Sequence, residues 1–232
     1  MKQVLSMIKI EVYKIVRSYI PFFILAFYCF LIFIHIQDKT WEVFLNNTFF
    51  LYSTVIGLMG FGILSSWAFG REYQDGTYKD ILSLPISRTK LVCSKFLALE
   101  LCFIATTLIA IGMTFALGSC FSLTGFDLFL AGSVVKRLFI ATLYNISLSF
   151  LFPFIASMAR GILAPVSISF GALITAVVFG SQPVGPYIPW SIPGIYLSNP
   201  QLINLAGKVS ISVVVFIGIY GTILWWNYAD QK

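Results

Sequence analysis

A chain of 232 residues with 59% hydrophobic residues, only 10% charged ones and a mean hydropathy of +0.91 is too apolar for a soluble domain. The net charge of +6 does not imply nucleic-acid binding, because the cations sit at the ends of apolar runs rather than on one soluble face. The four cysteines form no Cys-x-x-Cys, which argues against a disulfide framework or a zinc site and leaves them as small apolar fillers. A membrane span needs about 20 mainly apolar residues to cross about 30 Å of hydrocarbon. The apolar runs predict six such spans, and hence an all-α, polytopic protein with a single transmembrane domain over residues 1–232.

Residues 1–17 read as an interfacial elbow helix, not a span. Lys2, Ser6, Lys9, Tyr13 and Arg17 recur on one side, and Val4, Leu5, Ile8, Val12, Ile15 and Val16 fill the other. A plain basic flank that orients the first span is the simpler alternative. The run that follows has no Ala-x-Ala-like exit, so it reads as a retained first span, 19–36. A polar loop with Asp38, Lys39 and Glu42 leads to a second span at 48–69. The third is predicted at 96–120, followed by a loop over 122–137. The fourth runs over 138–158, a tight turn at Arg160-Gly161 opens the fifth at 162–181, and the sixth covers 209–226. Trp225, Trp226 and Tyr228 read there as an aromatic belt.

Placing the amino terminus inside puts eleven cations on the cytoplasmic side: Lys2, Lys9, Lys14, Arg17, Arg71, Lys79, Arg88, Lys90, Lys95, Arg160 and Lys232. Lys39, Lys136, Arg137 and Lys208 remain outside. That bias predicts a multi-pass protein with both termini cytoplasmic. Between Arg160 and Lys208 no charged side chain occurs, yet Pro183, Pro186, Pro189, Pro193 and Pro200 crowd together with Tyr187, Trp190 and Tyr196. Proline at that density excludes a straight helix. An outer re-entrant segment over 182–206, sealed by Pro189, Trp190 and Pro193, fits an uncharged broken backbone covered by protein; an ordinary external loop is the alternative.

Catalytic signatures are missing. No phosphate-binding Gly-x-x-x-x-Gly-Lys-Ser/Thr occurs, and His35 alone builds neither a metal site nor a serine relay, so no enzyme activity, cofactor or metal is expected in this chain. Glu100 is the acid placed well inside a span. It is expected to pair with Lys95 or Arg88; the alternative is an ion- or proton-coupled carrier that uses it. Ser53, Thr54, Thr106, Thr107, Thr114, Asn145, Ser147 and Ser149 are the hydroxyl and amide groups available to line a route for amphipathic cargo.

The most informative stretch is the charged island within 70–95. Glu72 precedes Gly76-Thr77, and Leu84-Pro85-Ile86-Ser87-Arg88 follows. Gly76 permits a turn, Thr77 is placed to cap a short helix at 78–84, Pro85 ends it, and Ser87 is placed to cap the next. A short helix held between two spans is a lever. This ordered set resembles the cytoplasmic loop of type-2 ABC exporter permeases. Pro189-Trp190-Ser191-Ile192-Pro193 and the small size are similar to permeases of bacitracin and lantibiotic resistance or immunity exporters. The resemblance implies a bacterial plasma-membrane subunit that exports a peptide antibiotic or lipid-like compound. Its coupling residues would be Glu72, Gly76, Thr77, Leu84, Pro85, Ser87 and Arg88, with Glu72 and Arg88 touching a separate ABC ATPase that supplies ATP and magnesium. Membrane lipids and a second permease copy or a relative would be its other partners.

Overall fold

A computed structural model describes residues 2–35, 37–83 and 85–228. Among them the chain is helical, with one isolated bridge, Thr40–Thr124, and no strand. Helix α1 (Lys2–Arg17) meets α2 (Ile20–Ile34) at a 50° bend, where Tyr19 takes a left-handed φ of 61°. Then α3 (Trp41–Leu51), a π-helical stretch (Tyr52–Gly60) and α4 (Phe61–Gln74) form one continuous rod. Short α5 (Tyr78–Ser83) precedes the longest helix, α6 (Arg88–Cys120). Helices α7 (Leu128–Ser149) and α8 (Leu151–Ala159) form a second composite rod, interrupted where Pro153 has no N–H to give to the Ser149 carbonyl. Then come α9 (Leu163–Phe179), two 3-10 turns, α10 (Ile192–Ser198), a third 3-10 turn and α11 (Leu205–Tyr228).

Four of these helices are long and apolar enough to cross a membrane: Trp41–Gln74, Arg88–Cys120, Leu128–Ala159 and Leu205–Tyr228. The bent α1–α2 pair raises the number to five if it counts as one span. Helix α9 is apolar but only 17 residues long. Helices extend beyond the apolar runs in several places. The expected loop at 122–137 ends at Asp127, whose carboxylate accepts from Phe129 N at 3.0 Å and caps α7, so Lys136 and Arg137 are helical. Likewise, residues 70–74 and 88–95 belong to α4 and α6, leaving a much shorter connection around α5.

Polar pairs hold the apolar rods together. Tyr28 and Thr114 hydroxyls lie 2.8 Å apart, as do Tyr52 and Thr107, and the two tyrosine rings meet edge-on at 5.0 Å. Asn145 Nδ2 donates to Ser53 O at 2.9 Å and Ser53 Oγ at 3.1 Å, tying α7 to the π stretch. Inside a membrane such bonds act as glue between helices that gain little from further apolar contact. They correct the expectation of a hydroxyl-lined route: Ser53, Thr106, Thr107, Thr114, Asn145 and Ser149 are buried and bonded within the bundle. Trp226 is also buried rather than belted at the surface, and its indole N–H donates to Ser157 Oγ at 2.9 Å.

Gly57 sits where the π stretch meets α7, and a Cβ there would run into the Asn145 amide. Gly57→Ala should therefore lose about 1–3 kcal/mol of stability by overpacking. Gly112→Ala, with nothing within 4 Å, should not. Thermal unfolding of both variants in detergent checks the contrast.

Candidate functional site

The region around α5 is assembled from five elements. The last turn of α4 carries Arg71, whose Nε donates to Asp75 Oδ2 at 2.7 Å while its guanidinium lies over the Trp67 ring at 5.0 Å. Gly76 then adopts a φ of 69°, open to solvent, and turns the chain into α5. The Thr77 carbonyl takes the first helical bond, from Ile81 N at 3.1 Å. Ser87 stands at the start of α6, but its hydroxyl makes no capping bond; its carbonyl accepts from Leu91 N instead. Pro85 is exposed, and Leu84 lies outside the described residues.

An aromatic stack fixes α5. Tyr78 is buried, stacks on Tyr73 of α4 at 4.2 Å and meets the edge of Trp226 of α11 at 4.9 Å. Burial raises the Tyr78 phenol pKa, so the ring stays neutral. Trp226 also packs edge-on against Phe69 at 5.9 Å. Arg88 reaches the far end of α11, where its Nη1 donates to Trp226 O at 3.1 Å and Asn227 O at 3.4 Å, and Asn227 returns a bond to Thr89 Oγ1 at 3.1 Å. A cation on the last carbonyls of a helix complements its dipole.

Below the stack lies an ion cluster that sequence reading assigned differently. Lys95 is fully buried on α6, and its ammonium donates to Glu72 Oε1 at 2.6 Å, Glu11 Oε2 at 3.1 Å and the Ala68 carbonyl at 3.1 Å. It also lies 5.4 Å from the centre of the Phe69 ring. Lys14 completes the cluster, 2.8 Å from Glu11 Oε1 and 3.7 Å from Glu72 Oε1. Two carboxylates and two ammoniums thus join α1, α4 and α6 at the Gly76 end of the bundle.

Several sequence expectations change here. Glu72 is only 7% exposed, so it faces inward, and Arg88 is half-buried and committed to α11. The exposed edge of the region is made instead by Asp75, Gly76, Thr77, Lys79, Asp80, Ser83, Pro85 and Ser87. Glu100 pairs with neither Lys95 nor Arg88. Five residues separate it from Lys95, which puts the two about 140° apart around a helix of 3.6 residues per turn. It is half-buried, and no cation pairs with it among the described residues. Glu11 and Lys14 were not singled out from sequence, although Glu11 is the sole acid of the first 37 residues. Tyr73, Tyr78 and Ser157 carried no motif at all.

At the opposite end, residues 185–202 fold as 3-10 turns Gly185–Tyr187, Pro189–Ser191 and Pro200–Leu202 around α10. Pro193 is buried, whereas Pro189 and Trp190 are half-buried. Trp190 packs on a small apolar cluster of Leu58, Leu148, Ala176, Ile192 and Ile211.

The family model described as ABC-2 family transporter protein matches residues 7–177 of this chain. The chain belongs to the ABC-2 transporter family. Among characterised proteins, the bacitracin transport permease protein BCRB of Bacillus licheniformis is 24% identical over 188 residues, covering 76% of this chain and 86% of that protein. This ABC-2 permease therefore carries its ion cluster and aromatic stack within or beside the matched region: Glu11, Lys14, Tyr73, Tyr78 and Lys95 fall inside it, and Trp226 falls beyond it.

The ion cluster makes a stability prediction. Lys95→Met leaves Glu72 and Glu11 with one ammonium between them and should cost about 3–5 kcal/mol, the range for a buried pair broken on one side. Adding Glu72→Gln should recover part of that loss, because Lys14 still pairs with Glu11. Unfolding of the single and double variants in detergent measures the recovery.

Proposed function

We propose that this chain is the membrane-spanning subunit of an ATP-driven exporter, with six spans, both termini cytoplasmic, and α5 as the coupling helix for a separate ABC ATPase. The observation that carries the reading is that α5 is held through Tyr78, which stacks on Tyr73 and meets the edge of Trp226, while Lys79 and Asp80 stay exposed. A helix held to α4 and α11, with one edge free, transfers a push at that edge into the rods it is stacked on. The partner would supply ATP, magnesium and hydrolysis, and two permease chains, identical or related, would enclose the route.

The six-span count takes α1 as interfacial and accepts α2 and α9 as short spans beside the four long ones. By the sequence count, eleven of the fifteen Lys and Arg are assigned to the cytoplasmic side in this topology, which supports the orientation. Gly76, Thr77, Pro85 and Ser87 shape the exposed edge; Glu72 and Arg88 act from behind it, by holding α4, α6 and α11 in register. Pro189, Trp190 and Pro193 close the far end of the route. The cargo is an amphipathic compound, and the name of the bacitracin permease it resembles supports a peptide antibiotic.

Reversing the exposed charges, as Lys79→Glu with Asp80→Lys, should lower co-purification of the ATPase several-fold while the permease stays in the membrane. Tyr78→Ala should leave the ATPase bound but uncouple hydrolysis from transport, because α5 loses its clamp. Normal pull-down and normal transport in both variants would remove the coupling assignment.

A further inference from the structure

Two cavities share a wall at the end of the bundle opposite Gly76. The first, of about 380 Å³, lies between the π stretch, α9 and α10, with Thr54, Ala176, Val177, Gly194, Ile195 and Leu202 in its lining. Val177 and Leu202 are exposed at its rim, so it opens sideways toward the lipid-facing surface. The second, of about 450 Å³, is polar and is lined by Glu42, Asn46, Asn47, Arg137 and Leu197. Phe50 and Ser198 line both. An apolar chamber directly beside a polar one suits the two ends of an amphiphile, and each lies within the size range of ligand pockets, about 300–1,000 Å³.

Arg137 decides the charge of the occupant. It is half-buried on α7, and its guanidinium donates to Leu197 O at 3.0 Å and to Asn46 Oδ1 at 3.4 Å. Those bonds use two of its five N–H donors. Among the described residues no carboxylate forms an ion pair with it: Glu42 is exposed on the same chamber without reaching it, and Asp38 is occupied by His35 and Asn47. A half-buried cation without a counter-ion beside an apolar chamber favours a ligand that brings the missing charge.

We propose that the two chambers bind one membrane lipid with a phosphate headgroup, the phosphate on Arg137 and an apolar chain between α9 and α10. This deepens the exporter reading by placing its amphipathic substrate class on named residues, and it rests on that reading only in taking the site to lie on the route.

The test uses the purified full-length permease in neutral detergent, with thermal unfolding followed during titration with phosphatidylglycerol, phosphatidylcholine or inorganic phosphate. Phosphatidylglycerol should raise the midpoint saturably, and the other two should not. Arg137→Gln should weaken the response roughly tenfold or more, the loss expected for a charge-assisted bond. Ser181→Phe, which fills the apolar chamber without touching Arg137, should abolish the response while unfolding near the parent midpoint on its own. An equal response to phosphatidylcholine, reproduction by inorganic phosphate alone, or an unchanged response in both variants would each overturn the site. Both variants should still co-purify the ATPase. Failure of lipid binding thus leaves the coupling reading standing, and failure of ATPase capture leaves the lipid site standing.

Discussion

Lys95 is the constraint around which this permease is built. A fully buried ammonium is tolerable only where opposite charge and hydrogen bonds replace the water it has lost. Here the compensation comes from two other helices, Glu72 on α4 and Glu11 on α1, with the Ala68 carbonyl as third acceptor. None of the three helices can slide or rotate by much without exposing an uncompensated charge to low dielectric. The amino-terminal helix, which also buries Ile15 and packs Met7, Ile8 and Val12 on the core, is thereby tied to the bundle at a fixed place. Lys14 balances the cluster and keeps it neutral.

That fixed platform stands directly behind α5. Aromatic stacking through Tyr73, Tyr78 and Trp226 joins α5 to α4 and α11, and Trp226 passes the link on to α8 through Ser157. The middle of the bundle is organised differently. There, hydroxyl pairs and the Asn145–Ser53 bonds join rods across a nine-residue π stretch. A π segment has wider turns and poorer backbone bonding than an α-helix and commonly marks a functional place. The chain therefore has a rigid end at the charged loop and a softer centre beneath the two chambers at the far end.

Much of this was legible in sequence. Apolar runs fix where helices lie in a membrane, because every backbone polar group must be satisfied within the segment. The island around Gly76 announced a turn, a short helix and a second start, and α5 appears there. Boundaries are less legible, since a charge interrupts an apolar run without ending the helix that carries it. Arg71, Glu72, Lys95, Lys136 and Arg137 all lie on helical backbone that continues into the polar layer. The partners of Lys95 were not readable either. Spacing along α6 made Glu100 look close, whereas the true partners lie 84 and 23 residues away and meet it only through packing. The Asp127 cap, by contrast, was present as a sequence signal and would have corrected the start of α7.

The ion cluster ties α1 to α4 and the aromatic stack ties α5 to α4, so α1 and α5 move as one body. Spin labels at Lys9 and Lys79 of one protomer, on a chain without its four native cysteines, report that relation by pulsed electron resonance in the permease–ATPase complex. One narrow distance, unchanged between nucleotide-free and ATP-bound states, is the predicted result. A shift of several ångströms on ATP binding would contradict it.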